Sequence, residues 1–355
     1  MAFSAQNRKG TIAGIIFVAI FASAATFIAG LGPVKALGLS PLVIGIVMGI
    51  FYANTLHNQT PKEWQTGITF SGKKILRFAI VIYGFRITFQ QIAEVGMDGF
   101  LVSLIMLTTT LIIGSWLGTK VFGMEKDTSI LTASGAAVCG AAAVLATEPV
   151  LKAEEYKTAI AVSMVVLFGT ISMFLYPVLY TTIIENASGF LHMTAREFGI
   201  YVGGTIHEVA QVVAVPASVP GAPTEMADAA VIVKMTRVIM IAPMLIVLGL
   251  YLAWDAKRAG GARDEKMKLV IPWFAVYFIM VAGFNSLHLV PQNIVDIINE
   301  IDTFLLTMAM TALGMGTIFS KFKGLGLAPI YTALSMFVWL VVGGFVITKL
   351  VVEVL

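Results

Sequence analysis

The hydrophobic positions of this chain run in long stretches that are separated by short polar segments. A helix that spans a bilayer needs about 20 consecutive apolar residues, and we count eleven stretches of about that length. The predicted spans cover residues of about 11–31, 37–56, 75–95, 98–119, 129–150, 156–182, 197–215, 227–252, 270–290, 302–320 and 327–350. This pattern predicts an all-α polytopic membrane protein, and the short linkers favour a single integral membrane domain over residues 1–355.

The composition supports this class of protein. Hydrophobic residues make up 58% of the chain and charged residues 12%, against about 45–50% and about 25% in soluble domains. The basic residues are spread over short loops and form no stripe, which argues against a nucleic-acid partner. The single cysteine, Cys139, excludes an intrachain disulfide. The first apolar stretch is too long for the core of a signal peptide and is predicted to be the first span.

The loop charges predict the orientation of the chain. With the N-terminus in the cytoplasm, 15 basic residues fall in inside segments and 4 in outside segments, and the other 4 of the 23 lie at or within spans. Cytoplasmic loops carry an excess of lysine and arginine. We therefore expect the N-terminus inside and the C-terminus outside, in the plasma (inner) membrane of a bacterium, with the lipid bilayer as a partner.

The sequence also contains a candidate internal repeat. A shift of 230 residues places four residues on residues of the same type: Gly84 on Gly314, Phe89 on Phe319, Gly96 on Gly326 and Gly114 on Gly344. The shift corresponds to seven spans, an odd number, so the two copies would be inverted in the membrane. Inverted repeats around a central site are a recurrent plan of secondary transporters.

The fifth predicted span is rich in small residues, among them Ser134, Gly135, Cys139 and Gly140. Small residues allow close packing of helices in membranes. Alternatively, the glycines break the helix, and the freed backbone N–H groups hold an anion. Irregular backbone at membrane depth is tolerated only where it is buried in protein or lines a cavity. Cys139 is interpreted as a packing residue rather than a nucleophile.

A polar cluster lies in the seventh predicted span, where Gly203–Gly204 opens an apolar helix that carries His207, Glu208 and Gln211. His207 and Gln211 are four residues apart and would share a helix face, with Glu208 turned by about 100°. The motif HExxQ lacks the second histidine of the zinc-protease motif HExxH, so no metal site is predicted. The cluster either ties two helices together or forms a polar site with a titratable group.

Three cations are predicted inside spans: Lys234 and Arg237, three residues apart in the eighth span, and Arg86 in the third. A charge at the bilayer centre costs about 2.5–3.5 kcal/mol on insertion scales, so such groups usually face a partner or a wet cavity. Glu208 offsets one cation of the eighth span and leaves the other for a ligand. We expect Lys234, Arg237, His207 and Glu208 to converge on one cavity that binds an anion, to which Arg86 adds another cation. The other candidate substrate-binding residues are Gln211, Ser134, Gly135, Cys139 and Gly140. Because histidine titrates near neutral pH, His207 is predicted to link proton movement to the anion.

The segments SGAAVCGAAAV (134–144), FGTISMFLYP (168–177) and GGTIHEVAQVVAV (203–215), with Lys234 and Arg237 after them, resemble the YeiH-like family, which is named by prediction as sulfate exporters. The family is similar in plan to the bile-acid, arsenite and auxin carriers. The resemblance implies an elevator-type anion carrier with inverted five-span repeats, about 37–182 and 197–352, and two broken helices that cross near the membrane centre.

The five-span plan pairs the fifth span with the tenth, at residues 311–317, whereas the glycine match implies a shift of seven spans. We favour the five-span plan because coincidences among 33 glycines are common.

These observations predict a secondary transporter of a small anion, such as sulfate or an organosulfonate, rather than an enzyme. Two alternatives stay open: a membrane-embedded enzyme that uses His207 and Glu208 as acid and base, and an anion channel. The chain has no GxxxxGK[ST] motif, so ATP is not expected to be the direct energy source. No cofactor is expected, while coupling to protons or to sodium and assembly as a homodimer are left open.

Overall fold

A computed structural model describes residues 7–32, 34, 40–56, 60–258, 273–322 and 326–354 of the chain. Within these ranges the secondary structure is helical and contains no strand. The helices are α1 Arg8–Gly30, α2 Pro41–Thr55, α3 Gln65–Phe70, α4 Leu76–Tyr83, α5 Phe89–Trp116, α6 Lys126–Ala137, α7 Ala141–Leu151, α8 Glu155–Leu179, α9 Ala195–Thr205, α10 Val209–Ala217, α11 Thr224–Ile239, α12 Ile241–Arg258, α13 Trp273–Asn285, α14 Gln292–Gly316, α15 Leu327–Val338 and α16 Gly344–Val354.

Five helical stretches of the described chain are long and apolar enough to cross a bilayer. They are Arg8–Gly30, Phe89–Val121, Tyr156–Ile184, Thr224–Trp254 and Leu327–Val354. Shorter apolar helices, Pro41–Thr55, Ala141–Leu151 and Trp273–Asn285, accompany them. The all-α membrane fold is therefore confirmed, while the orientation of the termini stays a prediction. The count of eleven crossing spans does not hold for the fifth predicted span, because Lys157, just after it, forms an ion pair with Glu125, just before it, at 2.7 Å. The basic loop at 257–268 that contributes most to the charge bias falls mainly outside the described residues.

Polar and apolar side chains are distributed as expected for a protein in lipid. Phe27 and Phe51 are 72% and 66% exposed on the outer helix faces, whereas Lys234, Arg237 and Asp302 are fully buried. Lipid is as apolar as a protein core, so outward phenylalanines carry no cost there. Buried charges in hydrocarbon surroundings need partners inside the protein, and these three residues therefore indicate where the polar interior lies.

Glycines bring α9 and α11 into backbone contact. A Cβ atom at Gly199 would lie 2.4 Å from the carbonyl oxygen of Met226, and one at Gly203 would lie 2.4 Å from that of Ala230. Small residues at such interfaces let two helices approach closely. This contact holds the C-terminal half of α11 beside the end of α9, so that Lys234 and Arg237 of α11 reach the last carbonyl groups of α9.

Two pairs of helices, α6/α7 and α9/α10, are each interrupted by a break at which the chain turns back. Lys157, after α7, forms an ion pair with Glu125, before α6, at 2.7 Å, and α11, which follows α10, begins beside the start of α9, where Gly199 contacts Met226. The first break spans Val138 to Gly140 and the second spans Ile206 to Glu208. The tenth predicted span (302–320), which the resemblance paired with the fifth, is helical in α14 up to Gly316, and the helix ends there before the 3-10 turn Phe319–Phe322. The second break lies in the seventh predicted span, and the repeat relation of residues 37–182 and 197–352 stays a prediction.

Candidate functional site

The first break confirms the interruption predicted in the fifth span. α6 ends at Ala137, and Val138 leaves helical geometry with φ −123° and ψ −88°. Gly140 precedes α7 with φ 73° and ψ −137°, a conformation that is open mainly to glycine. Close packing of the small residues is present as well, because a Cβ atom at Gly135 would lie 2.6 Å from Val165.

The second break corrects the prediction of one helix through His207, Glu208 and Gln211. Gly203 and Gly204 lie in the last turn of α9 rather than at the start of a helix, and His207 and Glu208 lie in the break. Ile206 and Glu208 are extended, with ψ 146° and 149°. The helix can end here because buried side chains from α11 bind the carbonyl groups that lose their helical partners.

Lys234 binds backbone carbonyls from both breaks. Its Nζ donates hydrogen bonds to the oxygens of Val138 (2.6 Å), Ile206 (2.7 Å) and His207 (2.7 Å). An ammonium group has three donors, and these three bonds use all of them. Lys234 thus fixes the two breaks against each other instead of forming the ion pair with Glu208 that the sequence suggested.

Arg237, one turn further along α11, binds the ends of the same two helices. Its Nε donates to the oxygen of Ala137 (2.6 Å), one terminal nitrogen to that of Gly204 (2.6 Å), and the other to that of Ala136 (2.9 Å). The C-terminal end of a helix carries about half a negative charge and favours a cation. Arg237 therefore caps α6 and α9 together.

These contacts show where the two cations that were predicted to bind the anion lie. Lys234 and Arg237 are fully buried behind the carbonyls of the breaks. In this conformation an anion reaches the ammonium of Lys234 only by displacing a carbonyl. The geometry favours a positioning role for both cations, and their direct contact with a substrate stays a prediction.

Glu208 lies where the N-terminal ends of the other two half-helices meet. It is the N-cap residue of α10 and forms a reciprocal capping box with Gln211, whose Oε1 accepts from the N–H of Glu208 at 3.1 Å. Its carboxylate also lies against the start of α7, because a Cβ atom at Gly140 would lie 3.1 Å from its Oε1. One carboxylate thus serves two positive helix ends, and we call this meeting point of α7 and α10 the crossing.

Two buried polar atoms beside the crossing have no partner. They are Nδ1 of His207 and Nε2 of Gln211, in side chains that are 2% and 0% exposed. The amide of Gln211 lies against α8, because a Cβ atom at Gly169 would lie 2.4 Å from its Oε1. An unpaired buried polar group costs about 1–3 kcal/mol, so these atoms mark a place where a ligand would be stabilised.

The remaining predicted site residues differ in their relation to the crossing. Cys139 lies in the first break, buried and without a disulfide partner. Ser134 lies one turn earlier in α6, and its hydroxyl donates to the carbonyl of Leu131 at 2.9 Å. Gly135 serves packing. Within the described ranges, no group of three His, Cys, Asp or Glu residues is arranged to hold a metal.

Arg86 belongs to a different site. It forms an ion pair with Asp302 at 3.1 Å and donates to the carbonyl of Asn299 (2.7 Å) and the hydroxyl of Thr303 (2.8 Å). It lines a polar cavity of about 500 Å³ that neither His207 nor Lys234 lines. The expectation that Arg86 adds a cation to the same site is thus not supported by its position.

Sequence reasoning missed two acidic residues of this second cavity region. Asp228 lines the cavity and accepts from Nε2 of Gln91 at 3.0 Å, while the buried Asp302 holds Arg86. Both lie within the first two positions of predicted spans, where a charge is easily interpreted as belonging to a loop. The sequence did contain one signal. Arg86 lies within a predicted span and has no acidic residue near it in the chain, which indicates that a distant acidic residue pairs with it.

Substitution of Gly140 tests the contact between the two breaks. In Gly140→Ala, the new Cβ atom would lie 2.5 Å from Cγ of Glu208, in addition to requiring alanine at φ 73°. The unfavourable backbone costs about 1–3 kcal/mol, and the new methyl group displaces the Glu208 carboxylate from the start of α7. We expect at least a tenfold loss of anion flux in proteoliposomes.

The matched control for this prediction is Gly123→Ala. Gly123 has φ 67°, but a Cβ atom there meets no atom within 4 Å. Similar loss of flux in both variants would show that backbone strain, and not the position of Glu208, causes the effect.

Comparison with known proteins shows similarity over nearly the whole chain. Residues 13–333 match the family model described as conserved hypothetical protein 698. A UPF0324 membrane protein of Bordetella pertussis is 46% identical over 337 residues, covering 95% of this chain and 94% of the relative. The UPF0324 inner membrane protein YeiH of Escherichia coli K12 is 44% identical over 345 residues, covering 97% and 95%. The chain therefore belongs to the conserved hypothetical protein 698 family, which confirms the resemblance to YeiH-like membrane proteins.

Proposed function

We propose that the protein is a secondary transporter of a small anion and that the crossing is its substrate site. The observation that carries this proposal is the meeting of two half-helix N-termini, α7 and α10, at one point of a membrane protein. Discontinuous helices in transporters direct their N-terminal ends at anionic substrate groups. The first N–H groups of a helix have no partner within the helix, so α7 and α10 offer donors to an anion.

The charge around the crossing supports the same conclusion. The ends of the four half-helices contribute about half a charge each, and the two positive ends balance the two negative ends. The side chains that bind these ends are two cations, Lys234 and Arg237, and one carboxylate, Glu208. With all three ionised, about one positive charge is left over. In a poorly solvated site this surplus attracts one anion.

The donors at the crossing fit an oxyanion. Backbone N–H groups, the amide Nε2 of Gln211 and a protonated Nδ1 of His207 are donors, whereas sulfate and sulfonates offer only acceptor oxygens. Several donors that converge from different elements suit a tetrahedral group with three or four oxygens. We therefore propose sulfate or an organosulfonate as the substrate class.

The same contacts bear on which ion drives transport and on how the protein moves during transport. Lys234 occupies the carbonyls of Val138, Ile206 and His207, and such carbonyls of unwound helices hold sodium in some transporters. We propose coupling to protons rather than sodium, in the inner membrane where the YeiH relatives are named. An elevator-type movement would carry the two broken helices, held together by α11, as one body.

Flux measurements in proteoliposomes test the proposed function. Uptake of radiolabelled sulfate and methanesulfonate is expected to saturate with concentration and to be stimulated by the same anion trapped inside the vesicles. A channel would instead follow voltage without counterflow, and a membrane enzyme using His207 and Glu208 would form a product without moving the anion. Empty vesicles and the Gly140→Ala variant serve as controls. Absence of saturable flux for both anions would contradict the proposed substrate class.

A further inference from the structure

We infer that the carboxylate of Glu208 is a tethered occupant of the anion site, which a substrate anion displaces when Glu208 takes up a proton. The inference rests on the proposed function and adds how that site is closed and coupled. It follows from three features of the crossing: what the carboxylate binds, what it leaves unpaired and how it is exposed.

The carboxylate already occupies the donors that an anion would use. It lies against Gly140 at the start of α7 and takes part in the capping box with Gln211 at the start of α10. Gly140 allows this approach, because a Cβ atom there would lie 2.5 Å from Cγ and 3.1 Å from Oε1 of Glu208. A carboxylate that bridges two helix N-termini is chemically an anion bound in an anion site.

The unpaired atoms indicate that the site is not filled completely. Nε2 of Gln211, whose Oε1 binds the N–H of Glu208, is buried and has no partner, and the same is true of Nδ1 of His207, the residue before Glu208. A carboxylate has two oxygens, whereas a sulfonate has three and sulfate four. An entering oxyanion can therefore satisfy both the helix N-termini and these additional donors, which the tethered carboxylate leaves without a bond.

Exposure separates Glu208 from its neighbours. Gln211 and Lys234 are fully buried and His207 is 2% exposed, whereas Glu208 is partly exposed. Glu208 is thus the least enclosed of these four side chains and has room to leave its position when an anion enters. The charged and titratable groups that face it are Lys234 on α11, Lys73 on the π-helical turn Ser71–Ile75, Cys139 in the first break and the adjacent His207.

Proton and charge balance fix the stoichiometry. Glu208 as a carboxylate holds the helix ends when the site is empty. Binding of a sulfonate, which carries one negative charge, together with one proton converts Glu208 to the neutral acid and leaves the total charge of the site unchanged. Sulfate, which carries two, adds one negative charge, and the surplus positive charge of Lys234 and Arg237 offsets it. The ionised carboxylate of Glu208 and the substrate anion therefore do not occupy the same helix ends at the same time. The anion and the proton therefore enter together, and the anion leaves when Glu208 ionises and returns.

This exchange predicts a pH dependence of binding. While Glu208 is ionised in the empty site, taking up one proton per anion lowers the apparent affinity by about tenfold for each unit of rising pH. Glu208→Gln removes the titrating group with nearly unchanged volume. Its affinity should be high and independent of pH over the range where the wild-type affinity falls.

A first experiment needs no knowledge of the substrate and uses acetate as the probe. In Glu208→Ala the two helix N-termini lose their carboxylate, and free acetate should take its place. We expect acetate to raise the melting temperature of purified Glu208→Ala by several degrees while leaving the wild-type protein unchanged. The control is Glu197→Ala, which removes a capping-box carboxylate from the opposite end of α9. A folded Glu208→Ala variant without an acetate effect, or an equal effect in the control, would overturn the inference.

The second experiment measures sulfate and methanesulfonate uptake between pH 5 and pH 8 by wild type and Glu208→Gln. Glu208→Gln keeps the side-chain volume and carries the test if Glu208→Ala does not fold. Loss of the pH dependence in Glu208→Gln supports the inference. Wild-type flux with the same pH dependence in Glu208→Gln would overturn the inference but leave the transporter proposal intact. If the wild type shows no flux but acetate raises the melting temperature of Glu208→Ala, the proposed substrates are wrong and the inference about the tethered carboxylate stands.

Discussion

Arg237→Ala is expected to be among the most destabilising single substitutions in the protein. The substitution removes the donors that serve the carbonyls of Ala136, Ala137 and Gly204, and the side chain is fully buried. A buried carbonyl that loses its partner costs about 1–3 kcal/mol, so three of them amount to about 3–9 kcal/mol. We expect a large fall in the melting temperature of the purified protein and a low yield of monodisperse protein in detergent.

Arg196→Ala is the matched control for Arg237→Ala. Arg196 is also an arginine that binds a carbonyl and a carboxylate, those of Glu94 and Asp98, but its side chain is 32% exposed. Exposed ion pairs contribute about 0–1 kcal/mol, so this variant should unfold close to the wild type. A melting temperature of Arg237→Ala equal to that of Arg196→Ala would show that water or a moved backbone replaces the guanidinium, and the capping role would be wrong.

The first break could be predicted from sequence because its cause is local. Gly140 takes a φ of 73°, and the run of small residues around it leaves room for backbone from another helix. A glycine inside an otherwise helical apolar segment is a signal that a sequence shows directly. The position of the break between Ser134 and Gly140 was therefore accessible without the structure.

The second break could not be predicted in the same way because its cause is tertiary. Ile206, His207 and Glu208 contain no glycine or proline, and the glycine pair before them lies in helical backbone. The helix ends because Lys234 and Arg237, which lie about 30 residues later in the chain, donate hydrogen bonds to its last carbonyl groups. The sequence showed that these cations need partners but could not show that the partners are backbone atoms.

Arg86 illustrates a similar difficulty. Its charge within a span correctly predicted a partner or a wet cavity, and the structure provides both, with Asp302 and the cavity of about 500 Å³. The sequence separation of 216 residues between Arg86 and Asp302 leaves no local pattern that pairs them. Sequence reasoning therefore identified the buried charges but grouped them into one site where the structure has two.

Wild-type transport is expected to be independent of sodium, and Lys234→Ala is expected to lose at least nine-tenths of the anion flux. The ammonium of Lys234 joins the carbonyls of both breaks at 2.6–2.7 Å, a place where a mobile cation would otherwise be required. Because the cation is covalently attached, replacing external sodium with N-methylglucamine should leave the wild-type rate unchanged. In Lys234→Ala the breaks lose both their common donor and the surplus positive charge, so the anion is no longer held.

Flux of Lys234→Ala must be compared per amount of folded protein, since three carbonyls also lose their partner in this variant. Lys120→Ala provides a control that removes one positive charge from an exposed π-helical turn, Leu117–Val121, away from the breaks. If the flux of Lys234→Ala per folded protein equals that of Lys120→Ala, the ammonium only supports the fold. If wild-type flux stops without sodium, a mobile cation binds in addition to Lys234, and coupling through Glu208 alone is insufficient. Sodium-independent flux that fails only in Lys234→Ala would instead establish the lysine as the fixed cation around which the two broken helices hold their anion.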